Sequence, residues 1–342
     1  MRTDKSEARD QPNTDTAADI NTDTDTDTDA DTAAAAEWRA ADANGRTADA
    51  ERRTNIPPRV VAWFAEHARD LPWRRPGFGA WGVLVSEIML QQTPVARVIP
   101  RLEQWLARWP SPDELAADSP AEAVRAWDRL GYPRRALALH AAAVAISEQH
   151  GGIVPDEVHA LLALPGIGDY TARAVAAFAY GQPVPVVDVN TRRVIARAVN
   201  GFGEAGPART RVDLAGMQAL LPTDPADVRL FNAGAMELGQ TVCTARVPRC
   251  DACPIAELCA WRATGYPAYD GPPAPRQARF EGSDRQVRGL IMRELRHSDT
   301  PVPADVIEGL WPDVVQRDRA LAGLLADGLA LGDAESGFEL PR

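Results

Sequence analysis

The chain of 342 residues is almost without lysine: Lys5 is the only one, and arginine supplies all the remaining basic side chains. A reaction in which a lysine amine forms a Schiff base is therefore closed to every folded region beyond that position. Runs of about 18 or more apolar residues are also missing, so no membrane-spanning helix is expected. The N-terminus shows no apolar segment of the secretory type either.

Cysteine is confined to one short stretch, between Cys243 and Cys259. This distribution excludes a disulfide framework across the chain and predicts a reducing, cytoplasmic compartment. Alternating strand patterns are missing from the central region. Apolar residues there recur every three or four positions, which predicts an all-α core. The periodic segments are 58–68, 81–92, 95–108, 121–130, 134–149, 169–180, 189–199, 208–221 and 226–239.

The net charge of −11 is distributed unevenly. Residues 1–55 carry 7 basic and 14 acidic groups, residues 56–262 carry 21 of each, and residues 263–342 carry 9 and 13. An acidic chain argues against nucleic-acid binding, but a neutral core with 21 arginines can still present a basic face. The Thr-Asp repeat over 22–29 cannot bury enough apolar surface to fold, so we expect a disordered acidic tail over residues 1–55.

Proline and glycine are frequent after the core, over residues 263–283, which predicts an extended linker. Beyond it the patterns indicate helices and then a two-stranded hairpin. Together they predict a small winged-helix-like unit over residues 284–342. The predicted elements are helices at 284–296, 303–310 and 315–327 and a hairpin joining 329–331 to 338–340.

The four cysteines follow the spacing Cys243-x6-Cys250-x2-Cys253-x5-Cys259. Four soft thiolates suit either a tetrahedral zinc ion or a [4Fe–4S] cluster. Zinc sites usually contain two close Cys-x2-Cys pairs, whereas only one pair is close here. The spacing therefore favours an iron–sulfur cluster and leaves zinc as the alternative.

Glu87 interrupts a helical pattern that is otherwise apolar. Residues at helical spacing on its face are Val83, Leu84, Leu90 and Gln91, so its carboxyl should be partly desolvated and its pKa raised. A raised pKa suits a general acid that works near neutral pH. Local sequence also allows the alternative of a glutamate that faces solvent or caps a neighbouring helix.

Gly166 and Gly168 interrupt the helical pattern in Leu-Pro-Gly-Ile-Gly-Asp-Tyr-Thr over residues 164–171. Two glycines permit backbone torsions that other residues avoid, and the helix that follows leaves free N–H groups at its start. Such a turn can hold a DNA phosphate without a basic side chain. Taken alone, it fits a tight helix–helix connection equally well.

These motifs together resemble the helix-hairpin-helix DNA glycosylases related to endonuclease III. The cysteine spacing follows the glycine turn and the later Val187-Asp188 pair in the order typical of that superfamily. Leu-Pro-Trp-Arg over 71–74 and Ser-Glu-Ile-Met-Leu-Gln-Gln-Thr over 86–93 are similar to the adenine-specific MutY branch. The resemblance covers about residues 57–262. It implies a glycosylase core of two helical subdomains with a [4Fe–4S] cluster on the four cysteines.

The resemblance implies catalytic roles for four residues. Glu87 would protonate the departing adenine. Asp188 would stabilise the positive charge that develops at the sugar C1′, electrostatically or by transient covalent attachment. Tyr170 would pack near the sugar and Asp188, with a simple packing tyrosine as the alternative, and Asn190 would help to hold the network. Local sequence is equally consistent with Asp188 as a helix N-cap. Bifunctional relatives have a lysine where this chain has Tyr170, so base release without strand nicking is expected.

The resemblance also places residues against DNA. Gln92 and Tyr132 would insert into the base stack around the orphan purine while adenine is extruded. Trp73 and Arg74 would line the adenine pocket, and many relatives have a second tyrosine at the position of Pro133. The expected DNA-contacting residues are Trp73, Arg74, Gln91, Gln92, Thr93, Tyr132, Gly166 and Gly168.

The function implied is a monofunctional adenine DNA glycosylase of base excision repair that acts on adenine opposite 8-oxoguanine or guanine. Its partner would be double-stranded DNA with a mispaired adenine, bound by a cytoplasmic, nucleoid-associated monomer without membrane contact. The region after the linker is too short for the larger C-terminal domain with which bacterial adenine glycosylases recognise 8-oxoguanine. A thymine or uracil mismatch glycosylase, and a DNA-binding iron–sulfur protein without activity, remain alternatives. The Gln-Gln-Thr triplet over 91–93 favours adenine, and the two carboxylates favour an enzyme.

Overall fold

The computed structural model of the protein describes residues 43–272 and 279–342, with side chains from Asp49 onward. In this part of the chain fifteen α-helices accompany a single two-stranded sheet. The helices are α1 Ala43–His67, α2 Ala80–Leu90, α3 Val95–Arg108, α4 Pro112–Ala117, α5 Pro120–Trp127, α6 Arg134–His150, α7 Val158–Leu162, α8 Asp169–Tyr180, α9 Val189–Ala198, α10 Thr210–Gln218, α11 Pro225–Thr241, α12 Ala260–Ala263, α13 Asp284–His297, α14 Ala304–Glu308 and α15 Val314–Ala326; the strands are β1 Leu331–Asp333 and β2 Gly337–Glu339.

The all-α core predicted from the periodic segments is confirmed, since each segment coincides with a helix. Three further helices, α4, α7 and α12, were not predicted. They contain 6, 5 and 4 residues, too few to show a helical period. None of the described helices combines the length and the apolar character that crossing a bilayer requires.

The folded region begins earlier than expected. Helix α1 starts at Ala43, so the predicted disordered tail is wrong for residues 43–55, and its remainder, up to residue 42, lies outside the described residues. Tertiary contacts hold this part of the helix: Arg52 Nε donates to the carbonyl oxygen of Leu258 at 3.0 Å, and Ile56 is buried. Packing of this kind stabilises helices whose own sequence gives little support.

Helix α2 runs through the centre of the core, where every residue from Trp81 to Met89 is buried. It packs against α3, α6 and α8. A helix that is buried on all sides must satisfy its polar side chains within the protein. Ser86 does so within the helix, by donating to the carbonyl oxygen of Val83 at 2.8 Å. The carboxyl of Glu87 must find a partner on another helix.

A second hydrophobic cluster joins α1, α9, α10 and α11. Its buried members include Val60, Ile195, Met217 and Phe231. Ile255 from the cysteine loop belongs to the same cluster, so the loop is anchored on this half of the core.

The C-terminal segment shares the hydrophobic cluster that encloses α2, through side chains such as Val287 and Leu324. Arg125 on α5 donates to the carbonyl oxygen of Ser298 at 3.0 Å, which joins the two parts further. Strands β1 and β2 pair antiparallel. The helices and the hairpin lie at the expected places, but their grouping into a separate winged-helix-like unit stays a prediction, as does the linker before them.

Candidate active site

The carboxyl of Glu87 is enclosed at the centre of α2, and only 5% of the residue is exposed. Tyr170, in the first turn of α8, donates a hydrogen bond from its hydroxyl to Glu87 Oε2 at 3.0 Å. Burial raises the Glu87 pKa to about 7; the Tyr170 hydrogen bond lowers it, and the negative charge of Asp188 raises it. The group can therefore hold and release a proton near neutral pH, as a general acid must.

Tyr170 keeps its own proton. Burial and the charges of Glu87 and Asp188 raise the pKa of its hydroxyl well above the ordinary value of 10. The phenol thus remains a hydrogen-bond donor toward Glu87 over the whole physiological range.

Asp188 is the N-cap of α9. Its Oδ1 accepts from the backbone N–H of Thr191 at 2.7 Å, and its Oδ2 accepts from Asn190 Nδ2, also at 2.7 Å. The two interpretations of this residue therefore apply together: the capping bonds fix the orientation of the carboxylate whose charge acts on Glu87.

Arg193 connects this carboxylate to the cysteine loop. Its Nη2 donates to Asn190 Oδ1 at 2.8 Å and to the carbonyl oxygen of Gly239 at 2.7 Å, while its Nε donates to the carbonyl oxygen of Cys243 at 2.7 Å. A continuous chain of hydrogen bonds thus runs from Asp188 to the first cysteine. Arg193 was not recognisable from the sequence, because two of its acceptors are carbonyl groups at or just beyond the end of the distant helix α11.

The two residues expected to enter the base stack share an uncommon backbone conformation. Gln92 has φ of 53° and Tyr132 has φ of 48°. The left-handed region costs a residue other than glycine about 1–2 kcal/mol. Such strain persists where the surroundings enforce it, often at ligand-contacting sites. Tyr132 is also 40% exposed, so its ring is accessible.

Gln91 and Thr93, on either side of Gln92, are held by the protein. Gln91 Nε2 donates to Thr171 Oγ1 at 3.3 Å. Thr93 is buried, and its hydroxyl donates to the carbonyl oxygen of Gln91 at 3.2 Å. The structure therefore places Thr93 behind the loop, where it shapes the backbone beneath Gln92.

Gly166 and Gly168 lie in the turn before α8, but they differ in conformation. Gly166 has φ of 71°, and a Cβ added there would lie 2.5 Å from that of Ala138. Gly168 is the extended N-cap of α8, with φ of −93°, which any residue can adopt. The expectation that both glycines supply unusual torsions is wrong for Gly168. The first N–H groups of α8 remain directed out of the helix end.

Trp73 and Arg74 belong to a short 3-10 helix that precedes α2. Trp73 is half-buried against the central cluster. Arg74 Nη2 donates to Glu237 Oε2 at 2.9 Å, and Arg69 donates to the same carboxylate at 2.5 and 2.8 Å. Burial raises the pKa of Glu237, but the two guanidinium groups outweigh burial and lower it. Arg74 thus joins its loop to α11.

The four cysteines line one cavity in the loop after α11, and all are partly buried. Burial raises the pKa of Cys253 to about 12, and the other three cysteines lie close enough to raise it further. In the part of the chain that the structure describes, no group of three or more His, Cys, Asp or Glu side chains is arranged to hold a single metal ion.

Arginine surrounds the same cavity. Arg197, Arg249 and Arg262 line it, and Arg197 Nη1 lies 3.5 Å from Cys243 Sγ. The guanidinium of Arg197 also stacks on Trp261, 4.6 Å from the ring centroid. Four thiolates around an iron–sulfur cluster carry net negative charge, which nearby guanidinium groups offset. The donor set and its surroundings therefore fit a [4Fe–4S] cluster.

Comparison with family models and relatives agrees with this geometry. Residues 85–214 match the model described as HhH-GPD superfamily base excision DNA repair protein, and residues 243–259 match the iron-sulfur binding domain of endonuclease III. The chain is 53% identical over 285 residues to the adenine DNA glycosylase of Mycolicibacterium smegmatis, covering 83% of this chain and 95% of that protein. Identity to the adenine DNA glycosylase of Mycobacterium tuberculosis H37Rv is 51% over 286 residues, covering 82% and 92%.

Solved structures show the same fold. A thermostable thymine-DNA glycosylase matches with a TM-score of 0.57 at 25% identity, covering 63% of this chain and 98% of that chain. Endonuclease III in a non-covalent complex with DNA matches with a TM-score of 0.52 at 21% identity, covering 61% and 94%. The helix-hairpin-helix fold and the [4Fe–4S] cofactor predicted from sequence are thereby confirmed.

Proposed function

The chain belongs to the adenine DNA glycosylase family within the HhH-GPD superfamily of base excision DNA repair proteins, and we propose that it releases adenine mispaired with 8-oxoguanine or guanine without nicking the strand. One observation supports this most strongly: the hydrogen bond from Tyr170 to the buried carboxyl of Glu87, with Asp188 close enough to raise the Glu87 pKa. A protein that only binds DNA needs neither carboxylate.

The two carboxylates would divide the chemistry between them. Glu87 donates its proton to a ring nitrogen of the extruded adenine, so that the base departs neutral. Asp188, fixed by Thr191 and Asn190, faces the sugar and stabilises the positive charge at C1′ as the bond breaks. Addition of water to C1′ then yields free adenine and an abasic site.

The absence of a lysine limits the reaction to base release. Tyr170 stands where bifunctional relatives have their lysine, and its phenol cannot form a Schiff base. Because Lys5 is the only lysine of the chain, no residue after that position could supply a lysine amine. The abasic product would remain uncut until another enzyme acts on it.

Double-stranded DNA with a mispaired adenine is the proposed partner of a cytoplasmic, nucleoid-associated monomer. Gln92 and Tyr132 would fill the stack, and the turn at Gly166 and Gly168 would hold a backbone phosphate. Cys243, Cys250, Cys253 and Cys259 are the proposed ligands of the cluster, which would hold their loop in shape and take no part in bond breaking.

The direct test is single-turnover base release from four duplexes, with adenine opposite 8-oxoguanine, adenine opposite guanine, thymine opposite guanine and uracil opposite guanine. We expect adenine release, with strand cleavage only after alkali. The ratio of the two adenine rates measures the preference for 8-oxoguanine. Cleavage without alkali would contradict the proposed monofunctional reaction.

The similarity to a solved thymine-DNA glycosylase supports a second candidate, a thymine or uracil glycosylase of the same fold. Release of thymine or uracil, with adenine retained, would favour it. Release of no base by cluster-loaded protein would favour a DNA-binding protein without activity.

The pKa of Glu87 predicts a pH dependence. Because the acid must be protonated, kcat/KM should fall as pH rises through about 7, the pKa of Glu87 in the free protein. Measuring kcat/KM from about pH 5.5 to about pH 9 tests this prediction. Tyr170→Phe removes the hydrogen bond that lowers the Glu87 pKa, so its inflection should move to higher pH. A flat wild-type profile would contradict the assignment of Glu87 as the acid.

Replacing Cys250 by serine should remove one cluster ligand. We expect reduced iron and sulfide content, a weaker visible absorbance and weaker DNA binding, since the loop loses its anchor. Asp251→Asn, at the next residue, provides a control with the cluster intact. An unaltered cluster spectrum in the serine variant would refute the ligand assignment.

A further inference from the structure

Arg135, in the first turn of α6, lies half-buried beneath the loops that carry Gln92 and Tyr132, and the proposed chemistry does not use it. Its Nη1 donates to three carbonyl oxygens at the C-terminal end of α2, the helix of Glu87. The acceptors are Ile88 at 2.8 Å, Met89 at 3.1 Å and Gln91 at 2.6 Å.

The other side of the same guanidinium reaches the second loop. Arg135 Nη2 donates to Thr93 Oγ1 at 3.0 Å and to the carbonyl oxygen of Gly131, also at 3.0 Å. Its central carbon lies 5.1 Å from the ring centroid of Trp127 and 5.6 Å from that of Tyr132. One planar group therefore contacts the backbone beside both residues that are expected to enter the base stack.

Within the described ranges, the positive charge of Arg135 is compensated by the end of a helix and not by a carboxylate. Its described contacts are with carbonyl oxygens, a hydroxyl and aromatic rings, with no carboxylate among them. The carbonyl groups at the end of α2 form the negative pole of that helix, which attracts a cation. Its Nε is buried without a hydrogen-bond partner among the described residues, and burial lowers its pKa to about 10.

We infer that Arg135 is a positioning residue that fixes Gln92 and Tyr132 relative to each other and to the helix of Glu87. Both residues hold a strained left-handed backbone, and Arg135 bonds the residue immediately before each of them. The two side chains would then enter the stack as one rigid unit. Lysine cannot substitute, because a single ammonium lacks the planar fork that reaches both loops. The inference rests on the proposed function.

Extrusion of the base can be measured separately from its release. The double variant Arg135→Lys, Glu87→Gln, in which the second substitution stops release, is titrated with a duplex that has fluorescent 2-aminopurine in place of the mispaired adenine. The control is the Glu87→Gln single variant. We expect near-normal affinity, since phosphate contacts dominate binding, but a much smaller rise of fluorescence per bound duplex. With Glu87 intact, Arg135→Lys should slow adenine release by about 100-fold, the effect of a misplaced group.

Arg134→Lys is the matched control. Arg134 is the preceding residue and pairs with Asp327 at 3.3 Å, so this variant should extrude and release base like the wild type. Thr93→Val removes the hydroxyl that accepts from Arg135 and donates to the carbonyl oxygen of Gln91, while the other bonds of Arg135 remain. It should show a smaller loss of the same kind, which decides the question if Arg135→Lys does not fold.

The inference would be overturned if Arg135→Lys showed the same fluorescence rise and the same release rate as the wild type. It would also be overturned if affinity and fluorescence fell by the same factor. In either case the proposed function would stand as long as the wild-type protein releases adenine. Wild-type protein that releases no adenine would overturn both.

Discussion

Glu87→Gln should abolish adenine release while leaving mispair binding nearly intact. Glutamine preserves the shape of the side chain and can still accept the hydrogen bond from Tyr170, but it has no proton to give to the leaving base. General acid catalysis contributes about 10²- to 10⁴-fold, so the single-turnover rate should fall by at least the lower figure. Titration of a mispaired duplex measures binding in parallel. Release at more than a few per cent of the wild-type rate, taken as about the detection threshold, would contradict the role.

Folding stability gives this variant an internal check. Because burial raises the Glu87 pKa from 4.5 to about 7, the native state favours the protonated form. Stability due to this group is therefore present below its ordinary pKa and is lost as pH rises toward 7. Glutamine does not ionise, whereas the wild type must bury a charged carboxylate above that pKa. At about pH 8 the melting temperature of the variant should therefore equal or exceed that of the wild type. Glu66→Gln, on the exposed face of α1, should leave both release and stability unchanged.

Asp188→Asn should also cripple release, by about 10²- to 10³-fold, the usual effect of removing one group that stabilises developing charge. The substitution should change the pH profile as well. The charge of Asp188 raises the Glu87 pKa, so its removal should move the inflection of any residual activity to lower pH. Single-turnover rates across pH measure both effects.

Loss of the helix cap could imitate this result, so a matched control is needed. Asp224 caps α11 and accepts from the backbone N–H of Ala226 at 2.9 Å. Asp224→Asn makes the same change at another N-cap and should keep full activity. A wild-type rate in Asp188→Asn would remove its assigned role.

The residues recognisable from sequence are those with a local signal. Glu87 stands out as one carboxylate in an apolar helical period, and its burial and raised pKa agree with that pattern. The cysteine spacing likewise favours an iron–sulfur cluster over zinc, and the match to the iron-sulfur binding domain of endonuclease III supports the cluster. In both cases the signal lies within a few positions, although the partners of Glu87, which are Tyr170 and Asp188, come from distant parts of the chain.

The residues that could not be recognised from the sequence make hydrogen bonds to residues far away along the chain. Arg193 and Arg135 each donate to backbone carbonyl groups that lie 44 to 50 positions away, and no side-chain pattern in the sequence marks a carbonyl acceptor. The helix over 43–55 forms for a similar reason, since its bond to Leu258 joins distant parts of the chain. Such contacts arise from packing, which a single sequence does not display.

The C-terminal segment packs into the same hydrophobic cluster as α2. Side chains such as Val287 and Leu324 bury their apolar area in that cluster, so we expect the two parts to unfold together. A chain cut at residue 283 would expose the face of α5 that α13 covers. A truncation or destabilising substitution in this segment, about the last sixty residues, should therefore lower the amount of folded protein. Activity would be lost although no active-site residue has changed.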